Sequence, residues 1–393
     1  VINFTSPPRR LDTGADFLTV ATDSVGRIVS VREKISAQSA KKEELVRSAG
    51  LVDLQVNGLN GVDFNDESIT ADDVDHALSG LLSTGVTTCL PTLITASAET
   101  LQKRLHALDA AVSRSTLGPL MVPGYHLEGP FLNPAKGYAG CHPPADMILP
   151  SIDLIKNLER GLARPILYVT IAPELEGALE FIEWAVETHK IVGLGHSALR
   201  RQDLSAAVKA GALISTHLGN GVAQIQPKFD NPILWQLSED KIFGAFIADG
   251  IHIPREILKL FIRAKSIERS ILVTDAIAAA NSAPGTYFLA GMAVELNTRG
   301  IVHVAGSSLL AGSSLTMDRA LANIVSWGIA DFRSALRMGC ANPMALLWPV
   351  CEAHGVTQGL GEIIWGRNHR PLSVSLGAYE CCLKNSVHAP EHE

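Results

Sequence analysis

Five short apolar runs in this chain end on side chains that can bind a metal ion or carry a proton. Glu128 closes Tyr125-His126-Leu127-Glu128, and His196 closes Val192-Gly193-Leu194-Gly195-His196. His217 closes Ile214-Ser215-Thr216-His217, and Asp275 closes Leu272-Val273-Thr274-Asp275. Asp249 follows Phe246-Ile247-Ala248, with His252 three residues on. One carboxylate, two imidazoles and water make a site for Zn²⁺ or a similar ion, and an open position is what a catalytic ion requires. An ion held in this way lowers the pKa of water toward neutrality. A free carboxylate beside it can accept the water's proton and deliver it to a departing amine. Asp275 suits that role. A single buried His is usually a hydrogen-bonded structural residue, and a single Asp after a strand is usually a cap or turn residue. The joint placement of Glu128, His196, His217 and Asp275 after four separate runs is what points to a metal-dependent hydrolase.

Residues so far apart in sequence must be gathered by the fold. From Leu51 onward, eight apolar runs alternate with longer helical stretches. The runs are Leu51–Val56, Thr87–Leu93, Leu120–Leu127, Pro165–Ile171, Ile191–Leu194, Leu213–Thr216, Gly244–Ala248 and Ile271–Thr274. Continuous apolar strands separated by helices indicate a parallel sheet covered on its outer face. Eight of them predict a closed (β/α)8 barrel, in which the C-terminal strand ends converge on the active site. Thr70 is the expected N-cap of a helix over Ala71–Ser83, and Gly211 the expected C-cap of one over Asp203–Ala210. After Asp275 we expect a hairpin around Val294–Val304 and helices near Ser314–Val325 and Asp331–Met338. Residues 1–49 and 352–393 read as short strands. The expected organisation is therefore a barrel over 50–351 and a small β domain built from both chain ends, with a disordered polar tail at Pro390-Glu391-His392-Glu393.

The bulk properties agree with such a chain. Its 393 residues exceed the roughly 250 of a typical barrel, leaving room for a second, smaller domain. The formal net charge is −7 and no Lys/Arg block occurs, so nucleic acid and anionic membranes are not expected partners. None of the six cysteines forms a Cys-x-x-Cys pair, as expected of a reduced, cytoplasmic protein and not of a disulfide scaffold. No stretch is long and apolar enough for a membrane helix, and the first residues lack the pattern of a secretory leader.

At the same polar residues the sequence resembles the N-acetylglucosamine-6-phosphate deacetylases of the amidohydrolase superfamily. The segments carrying the resemblance begin with Leu51-Val52-Asp53-Leu54-Gln55-Val56-Asn57-Gly58, Gly85-Val86-Thr87-Thr88-Cys89-Leu90-Pro91-Thr92-Leu93-Ile94-Thr95 and His126-Leu127-Glu128-Gly129-Pro130-Phe131. They continue with Gly195-His196-Ser197, Thr216-His217-Leu218, Asp249-Gly250-Ile251-His252, Val273-Thr274-Asp275-Ala276 and Leu310-Ala311-Gly312-Ser313-Ser314-Leu315. They occur in the family's order over about residues 50–345.

The resemblance implies an amidohydrolase-type barrel with a small β-sandwich from both chain ends, and a homodimer. It implies hydrolysis of the acetamide of N-acetylglucosamine-6-phosphate, with Glu128, His196 and His217 as metal ligands and Asp275 as general base. His142 would polarise the acetyl carbonyl. Asn220 and Gly221 would hold the sugar, and His252 would contact its hydroxyl or phosphate end. Many amidohydrolases carry His-x-His on the first strand for a second metal. Here Gln55 and Asn57 stand at those places, and amides are poor ligands, so one divalent ion is expected, with the two amides supporting the site. Zinc is the expected ion, with iron, manganese and cobalt as alternatives. One departure concerns the phosphate. Where the family has an Arg, the nearest cation here is Lys228, which lacks the bidentate fork.

Other chemistries have less behind them. The Ser-rich stretch 306–314 lacks the Gly-x-Ser-x-Gly elbow, and no Walker-type phosphate loop occurs. The alternatives kept open are another amidohydrolase reaction, on a different N-acetyl sugar, an N-acyl amino acid or a cyclic amide, and a non-catalytic barrel scaffold.

Overall fold

Eight parallel strands form the centre of the molecule: β1 (Leu51–Val56), β2 (Val86–Ile94), β3 (Tyr125–Glu128), β4 (Ile166–Ile171), β5 (Ile191–Leu194), β6 (Ile214–Ser215), β7 (Phe243–Phe246) and β8 (Ser270–Leu272). The computed structural model describes residues 46–356, 361–366 and 368–377, together with the backbone of strands Arg9–Leu11, Thr19–Thr22, Ile28–Arg32 and Tyr379–Cys382. The expected tail at residues 390–393 lies outside the described residues. Each barrel strand pairs with the next in chain order. The end of the first strand meets the residues that follow the last. Val56 bridges Ala276 in parallel, the Asp275 N–H donates to the Gln55 carbonyl at 2.9 Å, and the Asn57 N–H donates to the Ala276 carbonyl at 2.7 Å. The sheet thus closes into a barrel of the amidohydrolase type.

The strands are continuous apolar runs because both faces are covered. Every residue of β1, β2 and β4 is buried. The third run departs from expectation. Gly118–Met121 is a helical turn, and the strand begins only at Tyr125. Met121 and Val122 are fully buried all the same, so their apolarity reflects burial and not extension. Pro119 opens the turn, and Pro123-Gly124 separates it from the strand.

The helices follow their caps. Thr70 caps Ala71–Ser83 through a reciprocal box with Asp73, with bonds of 3.2 Å to the Asp73 N–H and 2.9 Å from the Thr70 N–H. Gly211, at φ +110°, ends Arg201–Ala210. The expected hairpin is the second half of an antiparallel meander, Gly285–Leu289, Met292–Leu296 and Val302–Val304. It carries its own small core of Leu289, Val294 and Val302, packed with Ile94 and Ile277. Helices follow at Met317–Ser326 and Phe332–Leu336. The second continues through a wide π turn, Arg337–Ala341, into Asn342–Ala353.

The chain ends meet in antiparallel sheets. Val46–Ala49 pairs with Glu362–Trp365, which continues through Pro371–Leu376 to Tyr379–Cys382. Trp365 is fully buried, donates from Nε1 to Ser48 Oγ at 2.7 Å and meets Phe332 edge-on at 5.2 Å. Arg9–Leu11, Thr19–Thr22 and Ile28–Arg32 form a separate three-stranded sheet. No helix among the described residues is long and apolar enough to cross a membrane.

Candidate metal centre and active-site cavity

Glu128 is the last residue of β3, His196 and His217 each lie two residues beyond β5 and β6, and Asp275 lies three beyond β8. The barrel brings all four together at its C-terminal mouth, and all are buried. His196, His217 and Asp275 occupy left-handed backbone, at φ +49°, +29° and +49°. That conformation costs a non-glycine residue free energy, and strain of this kind concentrates where structure fixes a functional side chain.

Glu128 is the hub. His217 Nε2 stands 2.7 Å and His196 Nε2 3.4 Å from its Oε1, and His142 Nε2 stands 3.7 Å from its Oε2. One ligand atom from each of Glu128, His196 and His217 lies within 4.8 Å of the others. Among the described residues this is the one group of His, Cys, Asp and Glu side chains able to hold an ion. The donor set fits a divalent metal. His196 Nδ1 donates to the Tyr138 carbonyl at 2.7 Å, which leaves the lone pair of Nε2 facing Glu128, the outer-sphere arrangement usual for a ligating imidazole. The ring lies between two glycines. A Cβ on Gly140 would stand 2.9 Å from His196 Cε1, and one on Gly221 would stand 2.8 Å from Nδ1.

The group attracts positive charge. Burial opposes ionisation of Glu128, but the charge and the hydrogen bond of His217 outweigh it and hold the carboxyl well below its usual range. Burial likewise opposes a charge on His217, yet Glu128 raises its pKa to about 9. A metal would compete with that proton.

Asp275 has different surroundings. Burial, then the charge of Glu128, raises its pKa to about 6. Gln55 Nε2 and Asn57 Nδ2 both donate to its Oδ1, at 3.2 and 2.8 Å, which leaves Oδ2 to take a proton. The amide oxygens of Gln55 and Asn57 have no hydrogen-bond partner among the described residues. His142 is kept neutral by burial, then by His196, with a pKa of about 3. Its Nδ1 accepts from the Thr95 N–H at 3.4 Å and faces Thr95 Oγ1 at 2.9 Å. The remaining proton is therefore on Nε2, on the side of Glu128 and the cavity, where it can donate to a carbonyl.

A cavity of about 1220 Å³ opens above these groups, lined by Glu128, His142, His196, His217, His252 and Asp275 and by Asn220 and Gly221. Asn220 is fixed by its own Nδ2, which donates to the His217 carbonyl at 3.0 Å. His252 Nδ1 pairs with Asp249 Oδ2 at 2.6 Å, so Asp249 sets the ring's orientation. Lys228 is exposed, with Nζ 5.2 Å from the centre of the Phe229 ring, and is not part of the cavity wall. The lysine on that wall is Lys136, which sequence reasoning passed over. Thr95 and the Tyr138 carbonyl were also missed. Thr95 stood at the end of a resembling segment, so a signal existed. The carbonyl left none.

Comparison with known proteins finds relatives among sugar-phosphate deacetylases. No protein-family model matches the chain. It is 32% identical over 344 residues to the N-acetylglucosamine-6-phosphate deacetylase of Caenorhabditis elegans, covering 83% of this chain and 78% of that protein. It is 28% identical over 355 residues to the N-acetylgalactosamine-6-phosphate deacetylase of Escherichia coli O157:H7, covering 90% and 89%. The fold superposes with a TM-score of 0.77, at 25% identity, on a point variant of the Mycobacterium smegmatis N-acetyl-D-glucosamine-6-phosphate deacetylase in complex with N-acetyl-D-glucosamine-6-phosphate, covering 92% of this chain and 94% of that one.

Proposed function

Because the chain belongs to the N-acetylglucosamine-6-phosphate deacetylase family of the amidohydrolase superfamily, we propose that it hydrolyses N-acetylglucosamine-6-phosphate to glucosamine-6-phosphate and acetate. The observation that carries this reading is the convergence of Glu128, His196 and His217 with Asp275 and a neutral His142 in one cavity. Glu128, His196 and His217 would hold one divalent ion, zinc by preference, which would acidify a water toward neutrality. Asp275 takes the water's proton while the water oxygen bonds to the acetyl carbon. His142 donates from Nε2 to the carbonyl oxygen as charge builds there. Asp275 then passes the proton to the sugar nitrogen as the C–N bond breaks.

Gln55 and Asn57 support a single ion, since both turn N–H donors toward Asp275 and neither supplies an imidazole. Two metal equivalents per chain at full activity would contradict this. Asn220 and Gly221 hold the sugar, and His252 meets its hydroxyl or phosphate end. For the phosphate charge, Lys136 is better placed than Lys228, because it lines the cavity. A homodimer also fits, with Ile225 and Phe229, 92% and 70% exposed, as apolar contact residues. The free Cys89, Cys141, Cys340 and Cys351 fit a cytoplasmic location.

The test is acetate release from a panel: the 6-phosphates of N-acetylglucosamine and N-acetylgalactosamine, unphosphorylated N-acetylglucosamine, and N-acetyl amino acids. The expected preference is for N-acetylglucosamine-6-phosphate. Faster release from N-acetylgalactosamine-6-phosphate would move the protein to the activity of its Escherichia coli relative. No release from any sugar in the presence of metal would overturn the reading.

A further inference from the structure

The residue after Ile171-Ala172-Pro173, just past β4, is Glu174, which touches neither the proposed ion site nor the cavity wall. Its carboxylate nevertheless joins the loops that follow β3 and β5. Oε2 accepts from Ser197 Oγ at 2.5 Å, and Oε1 accepts from the Ala198 N–H at 2.6 Å. Both donors lie immediately after His196. Oε1 also accepts from Asn133 Nδ2 at 2.8 Å, and the Asn133 N–H donates to the His196 carbonyl at 3.0 Å. Asn133 opens the loop that carries Lys136, Tyr138, Gly140 and His142.

The consequence for His196 is geometric. Its backbone, at φ +49°, is held by bonds through its own carbonyl and through the next two residues. Its ring is aimed by the Tyr138 carbonyl, which belongs to the loop Glu174 tethers. A left-handed ligand persists only when its surroundings over-determine it. Hydrogen bonds to an ionised carboxylate are the strong ones available for that purpose.

We infer that Glu174 is a positioning residue that sets the ligand geometry of His196 and, through Asn133, holds the Lys136–His142 loop over the substrate. Its role toward the ion stands on the geometry alone, while its role toward substrate rests on the proposed deacetylation.

The test uses three variants of the full chain. Glu174→Ala removes both acceptor oxygens and with them all three hydrogen bonds. Glu174→Gln keeps the shape and one oxygen, with Ser197 able to rotate and accept. Ser197→Ala removes a single donor. Zinc affinity is measured by competition with a chromophoric chelator, with no substrate present, beside the melting temperature of the metal-free protein. Glu174→Ala should weaken zinc binding about 10- to 100-fold, as removal of an outer-sphere partner does. Glu174→Gln should recover much of that loss, and Ser197→Ala should cost about fivefold. At saturating zinc, KM for the sugar phosphate should rise by a larger factor than kcat falls.

Zinc affinity within about twofold of wild type in Glu174→Ala, with a lowered melting temperature, would make Glu174 a structural residue only. Should that variant not fold, unchanged affinity in both Glu174→Gln and Ser197→Ala would overturn the inference equally. A wild-type protein that binds zinc but releases no acetate would sink the proposed function and leave the ion-positioning role standing.

Discussion

Replacing Gly221 with alanine should disarm the metal centre without unfolding the protein. The added Cβ would stand 2.8 Å from His196 Nδ1 and 2.9 Å from Cε1, where ordinary contact begins at 3.4 Å. The ring would have to retreat by about 0.6 Å, while metal sites tolerate roughly 0.2 Å in ligand distance. Zinc affinity should therefore fall by tenfold or more, on the order of 1.4 kcal/mol or above. A second cost is independent of the ring. Gly221 sits at φ +62°, where alanine loses about 1–2 kcal/mol. In a chain of this size that lowers the melting temperature by only a few degrees. Gly61 separates the two effects, since it sits at φ +84° with nothing near its Cβ position. Gly61→Ala should lower the melting temperature about as much and leave zinc affinity alone. The assay is zinc titration against a chromophoric chelator, with thermal melts of the metal-free proteins alongside. Wild-type zinc affinity in Gly221→Ala, or an equal loss in Gly61→Ala, would refute the steric reasoning.

Asp275→Asn should keep zinc bound and lower kcat by about 10²- to 10⁴-fold, the range of general acid–base catalysis; near-normal turnover would remove Asp275 from that role. Lys136→Ala should raise KM for the 6-phosphorylated sugar far more than for its unphosphorylated analogue, whereas Lys228→Ala should change both little; the reverse pattern would restore Lys228 as the phosphate partner. Lys265 gives a stability test. Burial lowers its pKa from 10.5 to about 8, while Nζ donates to the Gln236 and Glu239 carbonyls. The unfolded chain then binds more protons between about pH 8 and 10.5, so stability should rise with pH across that window. Chemical denaturation of Lys265→Met over the same window should show a flatter slope than wild type, and parallel slopes would contradict the assignment.

Much of the fold was readable because parallel strands buried on both faces leave continuous apolar runs, and a polar residue at the end of such a run stands out. Glu128, His196, His217 and Asp275 were visible for that reason. The run at Leu120–Leu127 misled because a buried helical turn and a buried strand need the same side chains. The lysine on the cavity wall was hidden for another reason. Lys136 and Lys228 both lie in loops with no periodicity, so only the fold could decide which one faces the cavity. Glu174 followed an apolar run in the same way as the proposed ligands, yet its inferred role depends on Ser197, Ala198 and Asn133, which carry no mark of their own. The spacing of His196 between Gly140 and Gly221 was equally hidden, since glycine there reads as an ordinary turn.

The closure of the barrel has a temporal consequence. Gln55 and Asp275, joined by a side-chain hydrogen bond, are 220 residues apart, and the seam they share is the last contact the barrel can make. At translation rates of roughly 5–20 residues per second, the first strand waits about 11–44 s for its final neighbour. Through that interval Leu51–Val56 has one unpaired edge of wholly buried-type side chains, a template for adhesion to other nascent chains. Asp275, the carboxylate proposed to move the proton, thus joins the site after the three proposed ligands. A chain that ends before Ser270 would hold seven of the eight strands and the three proposed ligands, but not the residue assigned to move the proton.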